Sequence, residues 1–240
     1  MTGVAALHTA RRCALIGLVV ASACGGEGRE DGPDERRGAT TRGLIDAAAE
    51  TRGIVDAAGD TLRLSLPPER IVSLVPAVTR IVAELGEGAR LVGRTRYDTA
   101  AAFADLPSVG EGMGPDWEAL VALEPDLVVY FHGASDPDTP AQLARLGIRR
   151  FAVRPDDLDD VIALHHTLGV LLDRASRATA LTSKVEAELD AVRTAVAGLG
   201  HPGVAYLLDG APPWAAGPGT WIGQLVILAG GRLLPTDLPP

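Results

Sequence analysis

The stretch RIVSLVPAVTRIVAELG, residues 70–86, decides the fold class. Residues 70–75 form a short apolar run, the pattern of a buried strand. Pro76 ends it. Val78, Ile81, Val82 and Leu85 then recur at i, i+3, i+4 and i+7, which is one face of a helix. The turn between strand and helix carries no nucleophile, glycine cradle or metal ligand. It presents backbone and shape instead.

Outward from this stretch the alternation continues. Upstream, residues 53–56 and 61–66 are β-rich runs joined at Gly59, which predicts a hairpin. Downstream, residues 90–97 predict a strand that enters the loop LPSVGEGMGP. Asp116 is placed to cap a helix over residues 117–123. Residues 124–126, EPD, break that helix, and LVVYF (127–131) predicts a buried strand. Thr139 and Pro140 start a helix that Gly147 closes, and residues 148–153 predict another strand. Strands alternating with helices give an α/β fold with a parallel sheet.

The pattern changes after residue 155. Residues 156–172 read as helical. Ser176 is placed to cap a longer helix with Leu181, Val185, Leu189, Val192, Val196 and Leu199 on one face. At ~1.5 Å per residue it spans on the order of 35 Å. GVAYLLD (203–209) then starts a new strand. The fold class is therefore α/β, a first α/β lobe followed by a long helix and then by a second α/β unit.

Composition narrows the partners. The 240 residues are 47% hydrophobic and 22% charged, within the globular range. The net charge of −9 excludes nucleic acid as an expected partner. Lys184 is the single lysine among the basic residues. The two cysteines, Cys13 and Cys24, both lie near the N-terminus, so the rest has neither disulfide nor thiolate metal site. Arg11 and Arg12 precede CALIGLVVASA (13–23), an apolar run too short to span a bilayer. Ala21-Ser22-Ala23-Cys24 resembles a bacterial lipobox, in which the cysteine is lipidated, although alanine stands where leucine is usual. Signal-peptidase cleavage after Ala23 is the alternative. GGEGREDGPDERRGATTRG (25–43) is too polar to bury a core and reads as a tether.

Taken in order, DAAGDTLRL, PPERIVSLVPAVTRIVAELG, LVGRTRY, LPSVG with PDWEALVALEPDLVV, and TWIGQLVILAGG carry a resemblance. From about Gly53 onward the chain resembles the ABC-transporter substrate-binding proteins whose two lobes are bridged by one rigid helix. These bind cobalamin (vitamin B12), ferric siderophores, haem or metal ions, and the cobalamin branch is the nearest. The boundaries follow as 1–24 signal peptide, 25–50 tether, 51–155 N-terminal lobe, 156–200 helical linker with the long helix, and 201–240 partial C-terminal lobe.

The resemblance implies two α/β lobes bridged by one long helix, in a binding protein without covalent chemistry or cofactor. Its ligand would be a corrinoid, alternatively a ferric siderophore or haem, and its partner an ABC permease. Its place would be the periplasm or cell envelope, with a lipid anchor on Cys24. Ligands in such a fold occupy the crevice beyond the carboxyl ends of the strands, which makes Val75 and Pro76 cleft wall. Tyr97 matches a cleft aromatic, although Thr99 and Ala100 replace the family's Asp-Tyr-Pro segment. Phe131 matches a stacking aromatic, with core packing as the competing account, and His132 stands at the mouth. Trp214, in the loop GAPPWAAGPG, matches a second-lobe aromatic. Trp221, which begins the next helix, reads as packing. Glu118 matches a first-lobe glutamate that pairs with permease arginines; a carboxylate in a first helical turn is also favourable by itself.

Other residues carry less. Arg94, Arg96 and Arg154 keep an anionic siderophore open. His165 and His166, adjacent on a helix, diverge by ~100° and cannot chelate together; no metal spacing appears. No Ser-His-Asp, paired-acid or phosphate-loop arrangement supports an enzyme. Second lobes of this family carry a further strand-helix series with a second docking glutamate. The 38 residues from Gly203 onward are fewer than the ~50 of a self-standing lobe. A fragment, an early stop or completion by another chain would each account for this. The expectation is a partial second lobe, exposed apolar surface on the long helix and the Tyr206 strand, and either weak solubility or dimerisation. A truncated, non-binding lipoprotein is the corresponding functional alternative.

Overall fold

The computed structural model describes residues 52–208, 210 and 214–234. Cys24, the signal segment and the tether lie outside them. The described chain begins with an antiparallel hairpin, β1 (Arg52–Val55) and β2 (Thr61–Leu64). Asp56 builds its turn. One carboxylate oxygen accepts from the Ala58 and Asp60 N–H groups at 3.0 and 2.9 Å, and the other accepts from Ala152 N–H at 3.0 Å. Gly59 supplies the positive φ of +82° that closes the loop. The same buried carboxylate thus shapes the hairpin and ties it to the sheet.

The central unit comprises β3 (Ile71–Ser73), α1 (Pro76–Glu84), β4 (Leu91–Gly93), α2 (Trp117–Ala122), β5 (Leu127–Phe131), α3 (Asp138–Arg145), β6 (Arg150–Val153) and α4 (Leu158–Leu171). Its four strands are parallel, in the order β4-β3-β5-β6. Alternate side chains feed two cores. Leu127, Val129 and Phe151 pack with Val78, Ile81, Val82 and Leu85 of α1 and with Leu164 and Leu168 of α4. On the other face, Val128, Tyr130 and Ala152 pack with Leu120 of α2 and Leu143 of α3. The apolar periodicity read in residues 78–85 is therefore the buried face of α1, each side chain contributing roughly 1.5–3 kcal/mol on burial. The chain steps from β3 to β4 on one face and back to β5 on the other, as right-handed crossovers require. The strand order reverses between β3 and β5.

Several boundaries differ from the sequence expectation. Residues 90–97 form a strand only over Leu91–Gly93. Beyond it, Asp98 Oδ2 accepts from both the backbone N–H and the hydroxyl of Thr95, at 3.0 and 2.7 Å. This local turn outcompetes continued strand pairing, so Tyr97 sits on a turn rather than ending a strand. Pro76 does more than end β3: it takes the first position of α1, where its missing N–H is harmless. Asp116 does cap α2, accepting from Ala119 N–H at 3.0 Å.

The long helix α5 (Ala175–Val196) starts one residue before Ser176, with Arg174 at the cap position. Ser176 is therefore not the cap. Asp173, at φ 59°, turns the chain out of α4, and Arg174 N–H donates to Gly169 O at 2.6 Å. This tight connection leaves Ser176 inside the first turn. Gly198, at φ +80°, follows the helix end. The root of α5 is fastened firmly. Gly169 lies so close to Ala178 that a β-carbon there would overlap it. His166 Nε2 and Thr182 Oγ1 lie 3.2 Å apart, and Arg177 Nε donates to Glu84 O at 2.7 Å. Buried Glu87 pairs with Arg90 and, at 2.6 Å, with Arg174. Ala178 and Thr182 are the buried residues of α5, whereas Val185 and Val192 are exposed.

A smaller α/β unit follows: β7 (Gly203–Val204), β8 (Leu207–Leu208), β9 (Trp214–Ala215), α6 (Trp221–Leu228) and β10 (Arg232–Leu233). β7 pairs in parallel with β10, and β8 pairs antiparallel with β9. The single strand expected over 203–209 is thus two short strands with different partners. An α/β lobe, a long helix and a second α/β unit occur in the order expected.

Candidate functional site

The carboxyl ends of four parallel strands share one edge of the sheet. After β3 come Val75 and Pro76. After β4 comes the turn holding Arg96 and Tyr97. β5 ends in Phe131 and His132, and β6 leads to Arg154 and Asp156. The order reversal between β3 and β5 makes this the switch point where open α/β sheets bind ligands. Four of the sequence-predicted residues, Pro76, Tyr97, Phe131 and His132, are therefore gathered at one edge by the topology.

Their exposures differ for structural reasons. Pro76 is exposed on the first turn of α1. Tyr97 is 54% exposed because its turn leaves the sheet. Phe131 is half-buried; it packs against the core on the α1 side, opposite Tyr130, and its ring lies over Gly133. His132 is half-buried and held by its backbone, whose N–H donates to Val153 O at 2.9 Å.

The loop between β4 and α2 runs along this edge. Its backbone alternates with the strand extension: Arg94 N–H donates to Pro107 O, Val109 N–H to Arg94 O, and Arg96 N–H to Gly110 O, at 3.0, 2.8 and 2.7 Å. Gly112 then passes so near the end of β3 that a β-carbon would overlap the Leu74 carbonyl oxygen. Ser135 Oγ, beyond β5, reaches Met113 Sδ at 3.5 Å.

Electrostatically the edge is paired. Arg96 meets Glu111 at 2.5 Å and lies 5.2 Å from the centre of the Tyr97 ring. Its guanidinium is held above its ordinary value first by the Tyr97 hydroxyl and then by Glu111. Arg154 meets Asp156 at 2.6 Å. Arg94 donates to the carbonyls of Phe103 and Thr95 at 2.7 and 3.0 Å.

The second unit reaches this edge through α6. Trp221 N–H donates to Asp156 O at 3.0 Å, and the Gln224 side chain accepts from Leu158 N–H at 2.8 Å. Trp221, read from the sequence as packing, is 44% exposed beside the β6 end. A helix-opening tryptophan looks like core until the position of its helix is known. Trp214 is 73% exposed, but it stands in β9 opposite Leu208 and not in the loop expected of GAPPWAAGPG. Glu118 is exposed in the first turn of α2. His165 and His166 serve separate partners, Val161 O and Thr182. A groove of about 620 Å³ runs between α4, α5 and α6, lined by Leu158, Ile162, Leu189 and the carboxylates of Asp159, Glu186 and Asp190. It contains none of the predicted ligand residues.

Residues 71–235 match the family model of the periplasmic binding proteins. The chain belongs to the periplasmic binding protein family. Its sequence is 32% identical, over 184 residues, to a cobalamin-binding protein of Halobacterium salinarum, covering 74% of this chain and 49% of that protein. The chain thus spans about half the length of the curated relatives it matches. Among solved structures it is similar to a periplasmic heme-binding protein from Roseiflexus sp. RS-1, with TM-score 0.61, 30% identity and coverage of 68% of this chain and 64% of that one. It shares the fold of the periplasmic vitamin B12 binding protein of Vibrio cholerae, with TM-score 0.61, 24% identity and coverage of 72% and 69%. The family resemblance drawn from the sequence motifs is therefore correct. So is the α/β fold class that goes with it.

Proposed function

We propose that this periplasmic binding protein is the substrate-binding component of an ABC importer, capturing a corrinoid outside the inner membrane and delivering it to a permease. The observation that carries this reading is the gathering of Pro76, Tyr97, Phe131 and His132 at the switch-point edge. The 32% identity to a cobalamin-binding protein supports the ligand class. Tyr97 and Phe131 would contact the flat ring system from the 51–155 lobe. Trp214 would contact it from 201–240 as a rigid aromatic with large area and low entropy cost. Glu118 would supply a docking charge toward the permease, setting orientation and on-rate more than affinity. Cys24 would carry the lipid that holds residues 25–50 as a tether at the membrane. The reading is of a carrier, which binds and releases without an enzymatic step.

Haem is the second reading. It is favoured by the 30% identity to a heme-binding protein and by Tyr97 and His132, both side-chain types that ligate haem iron. Titration of the protein with cyanocobalamin and with haem, followed by tryptophan quenching, tests both. Saturable quenching by cyanocobalamin is expected. Saturation by haem alone would replace the corrinoid reading, and quenching by neither would leave a lipoprotein that does not bind.

A further inference from the structure

We infer that Glu111 is a specificity-determining residue, which by pairing Arg96 offsets the cation beside Tyr97 and so tunes the site to ligands of no net negative charge. This rests on the functional reading above and names the charge class of the ligand.

Three arginines stand along the edge, and each is engaged. Arg94 is spent on two backbone carbonyls and acts as structure. Arg154 is paired with Asp156. Arg96 is paired with Glu111. The last pair is solvent-exposed, with 59% of the Arg96 and 47% of the Glu111 side chain accessible, so its effect grows only when a ligand covers it. Both members sit on backbone in fixed register: Arg96 N–H donates to Gly110 O, next to Glu111, and Gly112 on the other side is wedged against Leu74. Arg96 is held on its other flank by the Tyr97 ring and hydroxyl. Two residues on, Asp98 is 4% exposed; its Oδ2 accepts from Thr95 and its Oδ1 has no hydrogen-bond partner.

An anionic ligand at Tyr97 would share the Arg96 guanidinium with Glu111, which meets it through one terminal nitrogen, and would lie beside that carboxylate's like charge. Covering the edge with a large ligand removes water and strengthens both effects. A neutral ligand meets a charge-balanced rim and leaves the pair intact. Glu111 therefore acts against anions, as a specificity device that raises the cost of the wrong ligand.

The test uses the whole protein and two ligands of one shape, cyanocobalamin and a corrin-ring monocarboxylate of it that bears one added negative charge. The wild type is expected to prefer the neutral corrinoid by about tenfold, the scale of one partly desolvated charge contact. Glu111→Gln, which frees Arg96, is expected to abolish or reverse that preference. The double variant Glu111→Gln with Arg96→Gln, which removes the freed cation, is expected to restore it. Equal preference in wild type and Glu111→Gln overturns the inference while leaving the corrinoid reading intact. If the wild type binds neither corrinoid, the corrinoid reading falls. The same comparison then runs with haem and its uncharged dimethyl ester; an unchanged ratio, or no binding there either, overturns the inference as well.

Discussion

Trp214 and Gly112 illustrate what single residues contribute. Trp214 is 73% exposed on a two-stranded ribbon, so its ring contributes little to the fold. Trp214→Ala is expected to leave thermal stability within about 0.5 kcal/mol. Ligand binding is expected to weaken by about 1–3 kcal/mol, measured by isothermal titration. An unchanged affinity would remove Trp214 from the site. Gly112 is the opposite case, a residue that matters for what it lacks. A β-carbon there would overlap backbone, not a movable side-chain tip. Gly112→Ala is expected to destabilise by about 1–3 kcal/mol and to displace the loop that carries Glu111. Urea denaturation reads the first effect. Loss of the neutral-over-anionic ligand preference reads the second.

At the scale of elements, two buried polar groups join parts of the chain that hydrophobic packing alone would leave loosely aligned. Glu87, in the turn after α1, binds Arg90 on its own segment and Arg174 at the root of α5. Removing it takes the carboxylate from two arginines, which keep only backbone carbonyls of Pro68 and Asp173, and Glu87→Ala is expected to cost about 1–2 kcal/mol in urea denaturation. Hydrogen exchange should rise first in the opening turns of α5. Uniform exchange across the molecule would argue that Glu87 does not fasten the helix. Tyr130 is the second group, buried between the sheet and α2 and α3. Burial raises its hydroxyl above the ordinary 10.0, Asp56 adds to the rise, and a hydrogen bond involving Arg150 opposes it. The folded chain therefore keeps a proton that the unfolded chain releases from about pH 10 upward. Stability is expected to fall as pH climbs above 10. Tyr130→Phe is expected to flatten that slope; an identical slope in the variant would assign it to other groups.

For the whole molecule, the distribution of apolar surface is uneven. The first unit buries its helices on both faces of the sheet, whereas Val185 and Val192 of α5 and Leu207 and Leu208 of β8 face solvent. Surface of this kind favours association. Residues 25–240 are expected to show concentration-dependent self-association in sedimentation velocity, reduced by Val192→Lys with Leu207→Lys. A monodisperse monomer across the concentration range would contradict this. The root of α5 is fastened by Glu87, Arg177 and the Gly169–Ala178 approach, and α6 meets the β6 end through Trp221 N–H and the Gln224 side chain.

Periodicity made the α/β class legible in the sequence. Val78, Ile81, Val82 and Leu85 could lie on one helix face only, and LVVYF could only be a buried strand, because burial follows the local repeat of the backbone. The ordered motifs likewise carried the family. Turn residues with their own side-chain partners were less legible: Thr95 and Asp98 diverted the strand before Tyr97, and the tight Gly169–Arg174 connection displaced the expected Ser176 cap. The site divides the same way. Tyr97 and Phe131 could be named in advance because the family resemblance points to them, and Pro76 and His132 because they follow predicted strands. The pairing of Arg96 with Glu111, the approach of Gly112 to Leu74, and the arrival of Trp221 beside Asp156 could not, since each joins segments distant in the chain. Local backbone preference and hydrophobic repeat are properties of neighbouring residues, and the sequence by itself determined the elements, their order and the family. Which charges neutralise one another, and which aromatics remain at the edge, depends on side chains brought together by the sheet, and only the tertiary structure decided that.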